Sequence, residues 1–149
     1  MSENRVCWNI LARKAQSGVD ACQADLARAT DKQQHLQASR QRLVQLYDEY
    51  RLQEQTPEAK NWDAQVQLNH RQFMSQLLRV QERLNKELRL AGLTVQQAAQ
   101  ALVRAQVELR KMSTLEAQQE QKIMAARETR EQHRLDEIAM MRFNLKTHV

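Results

Sequence analysis

The sequence predicts an all-α protein, a long antiparallel two-helix coiled-coil hairpin whose second helix is longer and overhangs the first. Three observations favour this fold class. The 149 residues include two glycines, one proline and 4% aromatic residues, a composition typical of long helices. Apolar residues recur at alternating steps of three and four in both halves of the chain. One break, around Pro57, separates the halves. We expect a single coiled-coil module over residues 1–149.

The first helix is expected over about residues 6–53. Its apolar stripe predicts a seam that faces another helix, but several positions are small or polar, so the seam is weak. The stripe consists of Trp8, Leu11, Ala15, Gly18, Cys22, Leu26, Ala29, Gln33, Leu36, Arg40, Leu43, Tyr47 and Tyr50.

The turn is expected over about residues 54–61. Thr56 can cap a helix, Pro57 suits the first helical position, and the acid Glu58 complements the helix dipole in the first turn. Asn61 offers a second possible cap. A short connection between two helices with apolar seams predicts that the helices are antiparallel.

The second helix is expected over about residues 62–144. Its stripe is richest from Phe73 to Met112 and more polar afterwards. Gly92 weakens the helix by about 1 kcal/mol relative to alanine, which permits a kink without ending the helix. The stripe consists of Phe73, Leu77, Val80, Leu84, Leu88, Ala91, Val95, Ala98, Leu102, Ala105, Leu109, Met112, Glu116, Gln119, Ile123, Ala126, Arg130, His133, Glu137 and Met140.

The register of the hairpin predicts the overhang. If the turn is centred near Pro57, the numbers of two facing residues sum to about 114, because both helices rise equally per residue. The first helix then ends opposite Leu109, and residues 110–143 extend roughly 50 Å further. A lone helix is marginally stable in water. The overhang is therefore expected to meet another protein, a second copy of the chain, or its own chain folded back at Gly92.

No catalytic, cofactor-binding or metal-binding constellation is recognisable in the sequence. Cys7 and Cys22 stand roughly 22 Å apart on one helix, too far for a disulfide, and form no CxxC motif. The histidines have no metal-ligand spacing and are expected to be structural or on the surface. They are His35, His70, His133 and His148. We therefore expect a protein that is not an enzyme and needs no cofactor.

The charge pattern and hydropathy bear on location and partners. The net charge is +5, but both signs alternate along the chain, as on an exposed helix surface. A basic nucleic-acid-associated coiled coil is thus the weakest of the alternatives. No apolar run is long enough to span a membrane, and the N-terminus does not resemble a secretory signal. We expect a cytoplasmic protein with no direct membrane insertion.

Three segments together resemble the FliJ family of flagellar export proteins. The first is LYDEYR, Leu46–Arg51, with Trp62 following the break. The second is RQFMSQLLRVQERLN, Arg71–Asn85, and the third is TREQHRLDEIAMMR, Thr129–Arg142. In their order and spacing, the three segments resemble the family over about residues 8–142.

The resemblance implies a non-enzymatic stalk that promotes assembly and activity of the hexameric flagellar export ATPase, at the inner face of the cell membrane. It also implies contacts with flagellar substrate chaperones and with the cytoplasmic linker of the membrane export gate. The equivalent stalk of a virulence-type secretion system, the YscO-like group, is an alternative. The gate contact falls on Phe73, Leu77, Val80 and Leu84, which are also seam positions. The ATPase contact falls on Arg127, Arg130, Glu131, Arg134, Asp136 and Glu137.

Overall fold

The structure, a computed structural model, describes residues 2–147, with side chains over 7–147. Helix α1 spans Ser2–Glu54, a short 3-10 helix spans Pro57–Asn61, and helix α2 spans Ala64–Thr147. These residues include no β-strand. Tyr50 contacts Phe73 and Gln33 lies beside Gly92, so the order of contacts along α2 is the reverse of that along α1. The predicted all-α hairpin with a longer second helix is confirmed.

Pro57 ends the first helix. Its ring disfavours the helical conformation at the residue before it, and Thr56 is extended, with φ −74° and ψ 151°. The Thr56 hydroxyl points backward and donates a hydrogen bond to the carbonyl oxygen of Gln53 at 2.7 Å. Thr56 therefore precedes the 3-10 helix and closes α1, and it does not cap α2 as the sequence suggested.

Asp63 caps the second helix. A carboxylate oxygen of Asp63 accepts a hydrogen bond from the backbone N–H of Val66 at 2.8 Å, which satisfies one of the unpaired donors at a helix start. Asn61, the second predicted cap, belongs to the 3-10 helix. Trp62, expected inside the second helix, is extended at ψ 132° and links the two. From Ala64 the helix is continuous through Gly92 to Thr147.

The contacts divide the chain into two compact units, and each pairs a segment of α1 with a segment of α2. Residues 21–103 form one unit. Its core is thin, with Ala29, Leu77 and Ala91 buried and most other stripe positions half-buried. Alanines at these positions leave room for the two helix backbones to lie close together. Arg40, predicted in the seam, is exposed.

The seam of this unit departs from the predicted stripe at Val80. Val80 is 44% exposed, whereas its neighbour Gln81 is half-buried. The inward face steps from Leu77 to Gln81 to Leu84. From Phe73 to Leu88 both stripes have three steps of four and one of three, and the observed stripe takes its step of three one position later. Either order stays on one side of a helix with 3.6 residues per turn.

The second unit combines the described parts of 1–20 and 104–149. Val19 is its buried residue, at 4% exposure, one position from the predicted Gly18. Trp8 and Asn9 lie against Glu116, Gln119 and Glu120 of α2. Half-burial on α2 continues at Ile123 and Ala126, and every residue over 127–147 is exposed. We call residues 127–147 the tail.

The register of the hairpin differs from the expected one. A turn centred near Pro57 would place Gln33 opposite Gln81, but Gln33 lies beside Gly92, where its amide nitrogen is 3.8 Å from the position a Cβ would occupy. The shift amounts to about three helical turns. Part of the shift arises because α2 begins only after Asp63. The rest arises because Glu54, the last residue of α1, lies beside His70, so that about the first two turns of α2 extend past the end of α1. The exposed part of α2 is therefore shorter than predicted.

Candidate partner-binding surfaces

Four rings pack together where the chain reverses direction. The ring centroids of Tyr50 and Phe73 are 4.7 Å apart, and those of Trp62 and His70 are 4.9 Å apart. Tyr50 and His70 join the two pairs, with centroids 5.8 Å apart. Tilted aromatic pairs of this kind contribute about 0.5–1.5 kcal/mol each beyond their buried area. Tyr50 and Trp62 thus pack beside the turn.

His70 is at the centre of this cluster, a role that was not predicted from the sequence. Its side chain is 8% exposed, and Nε2 lies 3.0 Å from a carboxylate oxygen of Glu54. Within the described residues Nε2 forms no hydrogen bond, so its contact with Glu54 is an ion pair only when the imidazole is protonated. The spacing of the sequence could have indicated this position. His70, Phe73 and Leu77 follow one another at steps of three and four, so His70 continues the seam toward the turn.

The predicted gate-binding residues do not form one exposed surface. Leu77 is buried at 7% exposure between the helices. Phe73 and Leu84 are half-buried, and Phe73 packs on Tyr50. Val80 alone is exposed among the four. A partner that approached this face would meet Val80 directly and only the edges of Phe73 and Leu84.

The predicted ATPase-binding residues are all exposed and all lie in the tail. Arg127, Arg130, Arg134 and Glu137 follow one another at steps of three, four and three, which places them along one side of the helix. Glu131 lies at the edge of this row. Asp136 lies about 100° from Glu137 and is separated from the row. The result is a mainly basic row on a helix that has no neighbour over this length in the described chain.

The described residues include no group of three or more His, Cys, Asp or Glu side chains placed to hold a metal ion. His148 lies outside the described residues. In the described part of the chain, no helix is both long and apolar enough to cross a membrane. Cys7 and Cys22 are free thiols, the first exposed and the second half-buried.

These features define a class of protein: a helical hairpin with long exposed helix faces and a charged, exposed tail. A comparison with protein families identifies the family within this class. The family described as Flagellar FliJ protein matches residues 9–148. The match covers nearly the whole chain, and the chain belongs to the FliJ family. Comparison with curated proteins and with solved structures gave no match at the significance we required.

Proposed function

We propose that the protein is a non-enzymatic stalk and coupling component of the flagellar type III protein export apparatus. The observation that carries the proposal is the family match, which extends over both helices and the tail. A two-helix hairpin with a protruding tail suits a rod that inserts one end into a ring of subunits. Because the matched family is described as flagellar, this role is favoured over that of a virulence-type stalk, and the genes beside this one will test the distinction.

The proposed partner of the tail is the hexameric export ATPase. The tail presents charged side chains at Arg127, Arg130, Arg134 and Glu137. Exposed charges make weak contacts that exchange with water at little cost, which suits a stalk that meets several equivalent subunits. In this role the tail promotes assembly of the hexamer and raises its turnover.

A charge-reversal experiment tests the ATPase contact. Arg130→Glu with Arg134→Glu is expected to abolish the stimulation of ATP hydrolysis and lower the fraction of hexamer. Arg79→Glu with Arg83→Glu is the matched control, since these arginines have the same spacing, are exposed, and lie outside the tail. Equal loss in both variants would mean that overall charge, and not the tail, determines stimulation. No stimulation by the unaltered protein would remove the stalk role.

The proposed gate contact is the face around Val80, with the edges of Phe73 and Leu84, and it binds the cytoplasmic linker of the export gate. Val80→Glu is expected to weaken binding to the linker without lowering stability, because Val80 is exposed. Val103→Glu is the control, at 57% exposure. Leu77 reaches the linker only if the helices separate. A Leu77→Ala variant that binds normally when folded would assign Leu77 to the seam alone.

We further propose that the protein works in the cytoplasm, at the inner face of the cell membrane, and binds flagellar substrate chaperones without entering the bilayer or binding nucleic acid. Its attachment to the membrane then depends on the gate. In cells that lack the gate, the protein is expected in the soluble fraction. Membrane association that persisted there would require another anchor.

A further inference from the structure

Three large apolar side chains of the tail, Leu135, Ile138 and Leu145, lie together off the seam face. Up to Ala126 the apolar stripe of α2 faces α1, but its continuation, Arg130, His133, Glu137 and Met140, is exposed and mainly polar. The large apolar residues of the tail include Leu135, which lies about 160° around the helix from Glu137. A face on this side cannot be covered by extending the α1 contact along the seam.

The face that holds these three residues has a regular pattern. Six residues recur at steps of three, four, three, four and three, the heptad spacing of a helix that packs on another helix. We call them the outer stripe: Glu128, Glu131, Leu135, Ile138, Arg142 and Leu145. Its apolar members are exposed by 55%, 39% and 70% in chain order. With Ala139 and Lys146 they line a shallow groove along the helix.

The charges of the outer stripe are ordered in a way that selects its occupant. The two acids precede the apolar pair, and the basic residue follows it. If a second copy of the stripe lies antiparallel, the heptad layers place Leu135 against Ile138 of the second copy. The same register places Glu131 against Arg142 of the second copy, and twofold symmetry repeats each contact. In this register Glu128 faces Leu145 of the second copy, with Lys146 next to it, so the apolar layers of the pair are those of Leu135 and Ile138.

A parallel alignment gives the opposite result. Each residue would then face its own equivalent, so Glu131 would meet Glu131 and Arg142 would meet Arg142. Like charges in a heptad seam destabilise the pair. From the spacing, the exposure and this charge order, we propose that the tail binds a second copy of the chain as an antiparallel coiled coil along the outer stripe. The proposal is independent of the export role.

The size of the contact sets its strength. From Glu128 to Leu145 the stripe is about 26 Å long, which places the buried area near the lower end for specific complexes. A dissociation constant of roughly 10–100 µM is therefore expected. Such an association is reversible, and it covers the tail of both copies when the protein is concentrated and unbound to other partners.

Sedimentation equilibrium of the full chain tests the proposal through charge swaps. Glu131→Arg and Arg142→Glu are each expected to raise the dissociation constant of the dimer by about tenfold or more, because each turns two attractive contacts into repulsive ones. The double variant restores the attraction and is expected within about threefold of the unaltered protein. A mixture of the two single variants is expected to form a heterodimer.

Matched controls use the other side of the tail. Glu137→Arg and Arg130→Glu make the same charge changes on the seam side and are expected to leave the dissociation constant unchanged. Circular dichroism confirms that every variant retains its helices. A chain that stays monomeric up to about 500 µM would overturn the proposal. The proposal would also be overturned if the single charge reversals left the dissociation constant unchanged, which is the result expected of a parallel pair. A double variant that failed to recover the dissociation constant of the unaltered protein would overturn it as well.

Discussion

Adjacent leucines on α2 offer a direct test of the seam. Leu77 is 7% exposed, whereas Leu78 is 45% exposed. Leu77→Ala removes a buried side chain from between the helices, and Leu78→Ala removes a similar side chain from the surface. The two variants have the same change in helix propensity, so that contribution cancels when they are compared.

The expected magnitude follows from burial. Truncating a buried leucine to alanine costs about 2–5 kcal/mol in a compact core. The seam is thinner than such a core, because Phe73 and Leu84 beside Leu77 are only half-buried, and water can enter the space that is vacated. We therefore expect Leu77→Ala to lower the free energy of unfolding by about 2 kcal/mol, the low end of that range. Leu78→Ala is expected to cost about 0.5 kcal/mol or less.

Urea unfolding followed by far-ultraviolet circular dichroism measures both variants. The midpoint is expected to fall for Leu77→Ala at an unchanged slope, since the surface exposed on unfolding is nearly the same. An equal loss in the two variants, or a larger loss for Leu78→Ala, would refute the assignment of Leu77 to the seam. A changed slope would mean that the variant has altered the folded or unfolded state and that the comparison does not measure the seam.

Three further predictions concern the glycine, the cap and the tail. Gly92→Ala is expected to stabilise the protein by about 1 kcal/mol, because an added Cβ would meet only an ordinary contact at 3.8 Å; a lower melting temperature would contradict this. Asp63→Ala is expected to lower the free energy of unfolding by about 1 kcal/mol because the helix cap is lost, and Thr56→Ala is expected to lower it less. Thermal unfolding compares the two variants, and a larger loss for Thr56→Ala would assign the cap to Thr56. Truncation after Ala126 is expected to leave the melting temperature nearly unchanged, because the removed residues are exposed, while stimulation of the export ATPase is lost; a large fall in melting temperature would show that the tail supports the hairpin.

The fold could be predicted from the sequence because it depends on local properties. Helix-forming residues, the proline and a repeating apolar stripe each act over a few residues, and they gave two helices, a break near Pro57 and most of the seam. An overhang of the second helix was also predicted, but over residues 110–143, whereas the exposed tail covers 127–147. The family followed from three segments and is confirmed over residues 9–148.

The surfaces were less predictable than the fold. Neighbours such as Leu77 and Leu78, or Val80 and Gln81, differ little in sequence context but greatly in exposure. A small drift of the stripe around the helix axis exchanges them between seam and surface. The role of His70 likewise depends on rings that come from three separate segments of the chain.

By itself, the sequence determined that this chain forms two long helices joined at one proline-containing turn, and that its second helix extends beyond its partner. Only the tertiary structure decided the register, which sets Gln33 beside Gly92, and the cap, which is Asp63 rather than Thr56. The physical reason is that seams of similar leucines and alanines fit together at several offsets. The alignment is selected by the geometry of the turn and the rings packed beside it, and these contacts join residues that are distant in sequence.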